Sequence, residues 1–129
     1  MTAQRAEQIS LGRAFAEALA AKDFGAVRAL LVEPVDFLGL TPGRTWAAAN
    51  SESVVHDVLM KWFEDGDHID ELAAVTEDTV GDRLRVGYRF HGHQADGPFV
   101  VEQQMYYAVD DDRISWMRVL CSGFRPHPS

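Results

Sequence analysis

The chain has 129 residues, 47% hydrophobic and 25% charged, a composition that fits a single globular domain over 1–129 and argues against disorder. Twelve basic residues against twenty acidic ones leave a net charge of −8, so the long-range field opposes nucleic acid and anionic membranes, and no basic stripe offsets it. One cysteine, Cys121, excludes an internal disulfide and a multi-thiolate zinc site; with an apolar N-terminal run that is short and broken by Glu17 and Lys22, it leads us to expect a cytoplasmic protein without a membrane span.

Residues 6–21 are strong helix formers, with Ile9, Gly12, Phe15, Ala16 and Leu19 on one face at three-to-four spacing. Asp23 is placed to cap a second, short helix in which Phe24, Val27, Leu30 and Leu31 face the core and which Pro34 ends. From Val35 to Leu40 the run is apolar apart from Asp36 and Gly39, the length of a strand, and Thr41-Pro42-Gly43-Arg44 is a turn. Ser51 is the expected N-cap of a third helix through Phe63, with Val54, Val55, Val58, Leu59 and Trp62 on its buried stripe and His56 and Asp57 away from it. Asp65-Gly66-Asp67 breaks that helix; Ile69 to Thr76 follows as a strand and Glu77 to Asp82 as a turn.

The last third has the period of two that half-buried strands produce. Leu84, Val86, Tyr88 and Phe90 alternate with Arg85, Gly87, Arg89 and His91. Turn formers at 93–98 lead into Phe99–Val109, Asp110–Asp112 turn the chain again, and Arg113–Cys121 complete a meander. Opposing Phe90 to Val101 sets Tyr88 beside Gln103 and Arg89 beside Glu102, and a tight turn at Asp110–Asp112 sets Gln103 beside Cys121. Helices gathered ahead of a meander predict an α+β fold with three N-terminal helices packed on one face of a curved antiparallel sheet.

That order, with Phe15-Ala-Glu-Ala-Leu-Ala-Ala-Lys-Asp23 entering the second helix and Asp112-Arg-Ile-Ser-Trp-Met-Arg118 leaving the final hairpin, resembles the nuclear transport factor 2-like superfamily over essentially the whole chain. The resemblance implies a cone, a sheet curled around a pocket closed by the first helix, as in ketosteroid isomerases and SnoaL-type polyketide cyclases. The isomerase pattern fails at two of three positions: its donor tyrosine falls on Phe15 and its protonated aspartate on Met105, neither of which can donate to an oxyanion. The third, its carboxylate base, falls near Asp36, which is therefore the catalytic candidate; the alternative for Asp36 is a solvent-side residue at a strand edge. An epoxide hydrolase of this fold needs an inward Asp-Arg-Asp set, whereas the arginines here alternate outward.

Alternation places Leu84, Val86, Tyr88 and Phe90 inward, then Val101, Gln103, Met105, Tyr107 and Val109, then Ser115, Met117, Val119 and Cys121. Tyr88, Gln103 and Cys121 form one polar row, walled by Phe15, Leu19, Val58, Trp62, Met105, Tyr107 and Met117, the lining expected for a small apolar ligand held by few polar groups. The alternative is that the row only satisfies itself. Three functions remain open: a cyclase or isomerase using Asp36 as base, a non-catalytic binding protein, and a structural domain whose own side chains fill the cone. Trp46 is either a pocket wall or the anchor of the loop after Arg44. Cys121 lacks the basic neighbour a nucleophile needs, and His91-Gly92-His93 lacks a third ligand, so no metal and no cofactor is expected. The outward set Arg85, Arg89, Val100, Glu102, Gln104, Tyr106, Trp116, Arg118 and Leu120 mixes aromatic, aliphatic and arginine residues as interfaces do and leads us to expect a homodimer.

Overall fold

A computed structural model describes residues 3–127, with side chains from residue 10 onward; Ile9, expected on the buried stripe, lies outside the described side chains. Helix α1 (Ala3–Ala20) is followed by α2 (Phe24–Ala29), β1 (Leu31–Thr41) and β2 (Arg44–Ala48). Helix α3, residues 51–62, has a π-helical middle, Val54–Leu59; then come β3 (His68–Val80), β4 (Arg83–Gln94), β5 (Gly97–Asp110), β6 (Arg113–Cys121) and β7 (Arg125–Pro126). Among the described residues, no helix is long and apolar enough to cross a membrane.

The strands form one curved, unclosed sheet in the order β2-β1-β6-β5-β4-β3, with β7 added beside β5. Every pairing is antiparallel except β1 with β6, which is parallel because the helical segment and the whole meander lie between them in the chain. The anticipated meander register is found residue for residue: Phe90 opposes Val101, Tyr88 opposes Gln103, Arg89 opposes Glu102 and Gln103 opposes Cys121. Asp111 and Asp112 both take positive φ, which closes the last hairpin with the two-residue turn that matches strand twist.

Several boundaries differ from the expectation. The second helix ends at Ala29: Leu30 is its C-cap, and buried Leu31 already belongs to β1. Pro34 therefore lies within β1, in the interval where the register against β6 shifts, as a residue without an N–H requires in a paired strand. Asn50, not Ser51, caps α3, its Oδ1 accepting from the Ser53 N–H at 2.8 Å. Ser51 is instead the buried first residue, and Glu33 accepts from both its N–H (2.8 Å) and its hydroxyl, which holds the Glu33 carboxyl below the usual range. Residues 77–80, polar enough to read as turn, continue β3 at the sheet edge, so that only Gly81 and Asp82 turn. Strand β2, read as loop, pairs with β1 over Phe37–Thr41.

Helix α1 crosses the inner face over β3 and β4, burying Phe15, Ala16 and Leu19. Its closest approach is at Gly12, where a Cβ would meet the Tyr107 hydroxyl at 2.7 Å and Val86 Cβ at 2.8 Å; the Gly12 N–H donates to that hydroxyl at 3.0 Å. A glycine in mid-helix ordinarily costs about 1 kcal/mol relative to alanine, so helix propensity alone would make Gly12→Ala stabilising. The Val86 carbon cannot rotate away, and the added methyl must push the helix off the sheet. Gly12→Ala is accordingly expected to lower stability by about 1–3 kcal/mol, measured by urea unfolding; a gain would show that the helix is not seated as described.

Candidate functional site

The inner face collects the expected polar row. Strands β4, β5 and β6 bring Tyr88, Gln103 and Cys121 side by side, and all three are buried. The Tyr88 hydroxyl donates to Gln103 Oε1 at 2.5 Å, and Cys121 Sγ accepts from the Gly123 N–H at 3.4 Å. Burial, and after it the nearby Cys121 thiol, pushes the Tyr88 phenol well above its ordinary value. The Phe15 ring lies tilted against Tyr88 with centroids 6.4 Å apart.

Two donors here have no partner among the described residues: Gln103 Nε2 and Trp62 Nε1. Turning the carboxamide over would let Nε2 donate to the Tyr88 hydroxyl but would leave Oε1 and the phenol proton unpaired instead, so one polar group of the row stays without a partner in either orientation. Trp62 comes from α3 and rests on Gly39 of β1, where a Cβ would stand 2.8 Å from the indole. Phe37 and Trp46 pack around it, both with centroids at 6.1 Å. Trp46, whose role the sequence leaves open, thus closes over Trp62 from β2, with its own indole N–H bonded to Thr41 Oγ1 at 2.9 Å and Arg44 stacked 3.6 Å above its ring. The orphaned Trp62 indole and its Gly39 floor escape the sequence reading. A short strand Arg44–Ala48 after a Pro-Gly turn was the available signal.

The remaining expected wall residues, Leu19, Val58, Met105, Tyr107 and Met117, are all within 1% of full burial and belong to one apolar cluster with Phe15 and Trp62. Surface depressions of about 370 Å³ at Pro34, Asp36 and Ser115, and about 320 Å³ at Glu102, Leu120 and Arg125, include none of them.

Asp36 takes its solvent-side alternative, which removes it as the catalytic candidate of the interior, and the inward assignment of Ser115 is corrected. Strand β1 alternates with Val35 and Phe37 buried, which turns Asp36 outward; its side chain is 64% exposed and pairs with Arg118 at 3.1 Å. Asp36 is thus separated from the polar row by the thickness of the sheet. Ser115 is only half-buried, its hydroxyl donating to the Ala108 carbonyl at 3.4 Å, because a register shift between Ala108 and Val109 breaks the alternation there and puts Ile114 inside. On the outer face the arginines find acids: Arg85 grips Asp78 through two bonds of 2.6 and 2.9 Å, which lowers the Asp78 carboxyl, and Arg89 stands 3.6 Å from Glu102.

Family models and curated proteins give no match to this chain. Solved structures do. A candidate isomerase from Bacillus subtilis superposes with a TM-score of 0.77 at 15% identity, covering 94% of this chain and 90% of that one. A candidate polyketide cyclase from Xanthomonas campestris pv. campestris gives 0.70 at 22% identity over 90% of each chain. An NTF2-like protein from Burkholderia thailandensis gives 0.66 at 16% identity, covering 89% and 90%. The fold is therefore the NTF2-like cone, with helices on a curved, unclosed, mostly antiparallel sheet.

Tyr88 links this site to pH. A phenol whose folded pKa lies above its unfolded value contributes stability fully present below the unfolded value of about 10 and lost as pH rises through the folded one. Tyr88→Phe, which strips Gln103 Oε1 of its donor, is expected to cost about 1–3 kcal/mol at neutral pH and to remove part of the alkaline loss of stability. Unfolding curves across the alkaline range, with wild type and variant in parallel, check both; identical pH profiles would mean that Tyr88 is not a buried, neutral phenol.

Proposed function

We propose that the chain binds a small, mostly apolar molecule inside the cone, and that the molecule carries a hydrogen-bond acceptor such as a carbonyl oxygen. The observation that carries this reading is the pair of buried donors without partners, Gln103 Nε2 and Trp62 Nε1. An unmade hydrogen bond of this kind costs about 1–3 kcal/mol, and an acceptor held between apolar walls recovers it. Asp36 on the far side of the sheet, and Phe15 and Met105 at the isomerase donor positions, favour binding over general-base catalysis. The isomerase and cyclase names of the structural neighbours keep an acid–base enzyme as the second reading. Native mass spectrometry of gently purified protein is expected to show a retained small molecule. Gln103→Leu should leave the fold intact and weaken that ligand by about 1–3 kcal/mol; an empty wild type, together with a more stable Gln103→Leu, would instead identify a structural domain filled by its own side chains.

We further propose that the protein is a homodimer through the outer sheet face. Leu40 (46% exposed) and Leu120 (54% exposed) stand there beside Leu38, Tyr106 and Arg118 around an apolar groove of about 190 Å³, while Trp116 lies between the guanidinium groups of Arg83 and Arg118. This is the aromatic and arginine mixture of interface cores. Leu120→Asp is expected to dissociate the dimer without unfolding the protomer, since Leu120 is exposed in the single chain. Sedimentation at micromolar concentration decides; a monomeric wild type overturns the proposal.

A further inference from the structure

Four of the five histidines, far apart in the sequence, meet at one end of the outer face. His91 and His93 stand two apart on β4 and therefore project on the same side; Gly92 between them is turned inward, where a Cβ would press within 2.5 Å of the Phe99 ring. Strand β3 sets His68 opposite His93, with the rings stacked at 4.8 Å and 20°. Strand β7 returns beside β5, the His127 N–H donates to the Pro98 carbonyl at 3.1 Å, and the His127 ring meets that of His91 at 4.3 Å. Each histidine of His91-Gly92-His93 thus has a second imidazole beside it, His68 against His93 and His127 against His91.

A carboxylate layer stands behind these rings. His93 Nδ1 lies 2.8 Å from Asp70 Oδ2, and His91 Nδ1 lies 3.0 Å from Glu71 Oε1. The two acids are sequence neighbours, and the register shift between Ile69 and Glu71 lets both reach the same face. Nδ1–H donated to a carboxylate leaves Nε2 as the lone-pair nitrogen and raises its basicity, the arrangement that supports imidazole ligands of metals.

We propose that this cluster binds a divalent transition-metal ion of the Zn²⁺ class through Nε2 of His91 and His93, with His68 and His127 as the further ligands and Asp70 and Glu71 as the outer layer. Imidazole nitrogen suits Zn²⁺, Cu²⁺ and Ni²⁺ rather than the oxygen-seeking Mg²⁺ and Ca²⁺. Among the described residues no three such side chains already enclose one point, so the proposal requires these side chains to rotate on binding, for which His68, exposed, and His127, half-buried, have room at the surface. Binding ties the C-terminal strand to β4 and β3 and is independent of the cone interior.

Calorimetric titration of the tag-free full chain with ZnCl₂ tests this, with His56→Asn on the exposed side of α3 as control. Saturable binding of one ion per chain near neutral pH is expected, unchanged in His56→Asn, weakened at least about tenfold in Asp70→Asn and more in His91→Asn and in His93→Asn. Zn²⁺ should raise the thermal unfolding midpoint of wild type and not of these two variants, whose folding circular dichroism checks independently. His127→Asn gives a further arm should either β4 variant fold poorly. No saturable binding, equal binding of Mg²⁺, or affinity that His56→Asn lowers as much as His93→Asn would each overturn the site.

Discussion

Side-chain parity across β4, β5 and β6 is the constraint on which the rest of this structure depends. On these three strands the inward positions are buried and, Gln103 and the glycines aside, apolar, with one break in the alternation at the Ala108–Val109 shift; the residues between include Arg85, Arg89, Glu102 and Arg118. Slipping one strand by a single position would expose the apolar set and bury unpaired charges at several kcal/mol each. The register is therefore the one arrangement in which Val86, Phe90, Val101, Met105, Tyr107 and Met117 all reach the core while the arginines find Asp78, Glu102 and Asp36 outside. Helix α1 can seat on that inner face only because Gly12 lets its backbone approach Val86 and Tyr107.

Function in this fold lives in what the cone encloses, because the same architecture serves unrelated activities. Here the enclosed polar groups are few and mostly neutral: a phenol, a carboxamide, a thiol and an indole. The carboxylate that the sequence offers as a base, Asp36, is paired with Arg118 on the outer face. Among the described residues, two interior donors, Gln103 Nε2 and Trp62 Nε1, have no partner.

The two sheet faces present different side chains from the same strands. On β4, Tyr88 and Phe90 line the interior, while two and four residues beyond Arg89 the outward positions His91 and His93 join His68 and His127. Neighbouring side chains on β4 are thereby held on opposite sides of the sheet.

Alternation, helical spacing and turn residues are local, and they determined the α+β class, the meander and its register, the buried stripes of the helices, and the company of Tyr88, Gln103 and Cys121. Those signals decide which side of an element is apolar, and a two-sided sheet then has one solution. The face of Asp36 stayed open and Ser115 went astray where local information was ambiguous: an apolar run does not say which face of β1 is inside, and a bulge such as that at Ala108 is set by twist across strands rather than by composition. Strand β2, the closure of Trp46 over Trp62, and the meeting of His68, His91, His93 and His127 were decided by tertiary structure alone. Each depends on which strand ends become neighbours when the sheet curls, and no spacing along the chain encodes that.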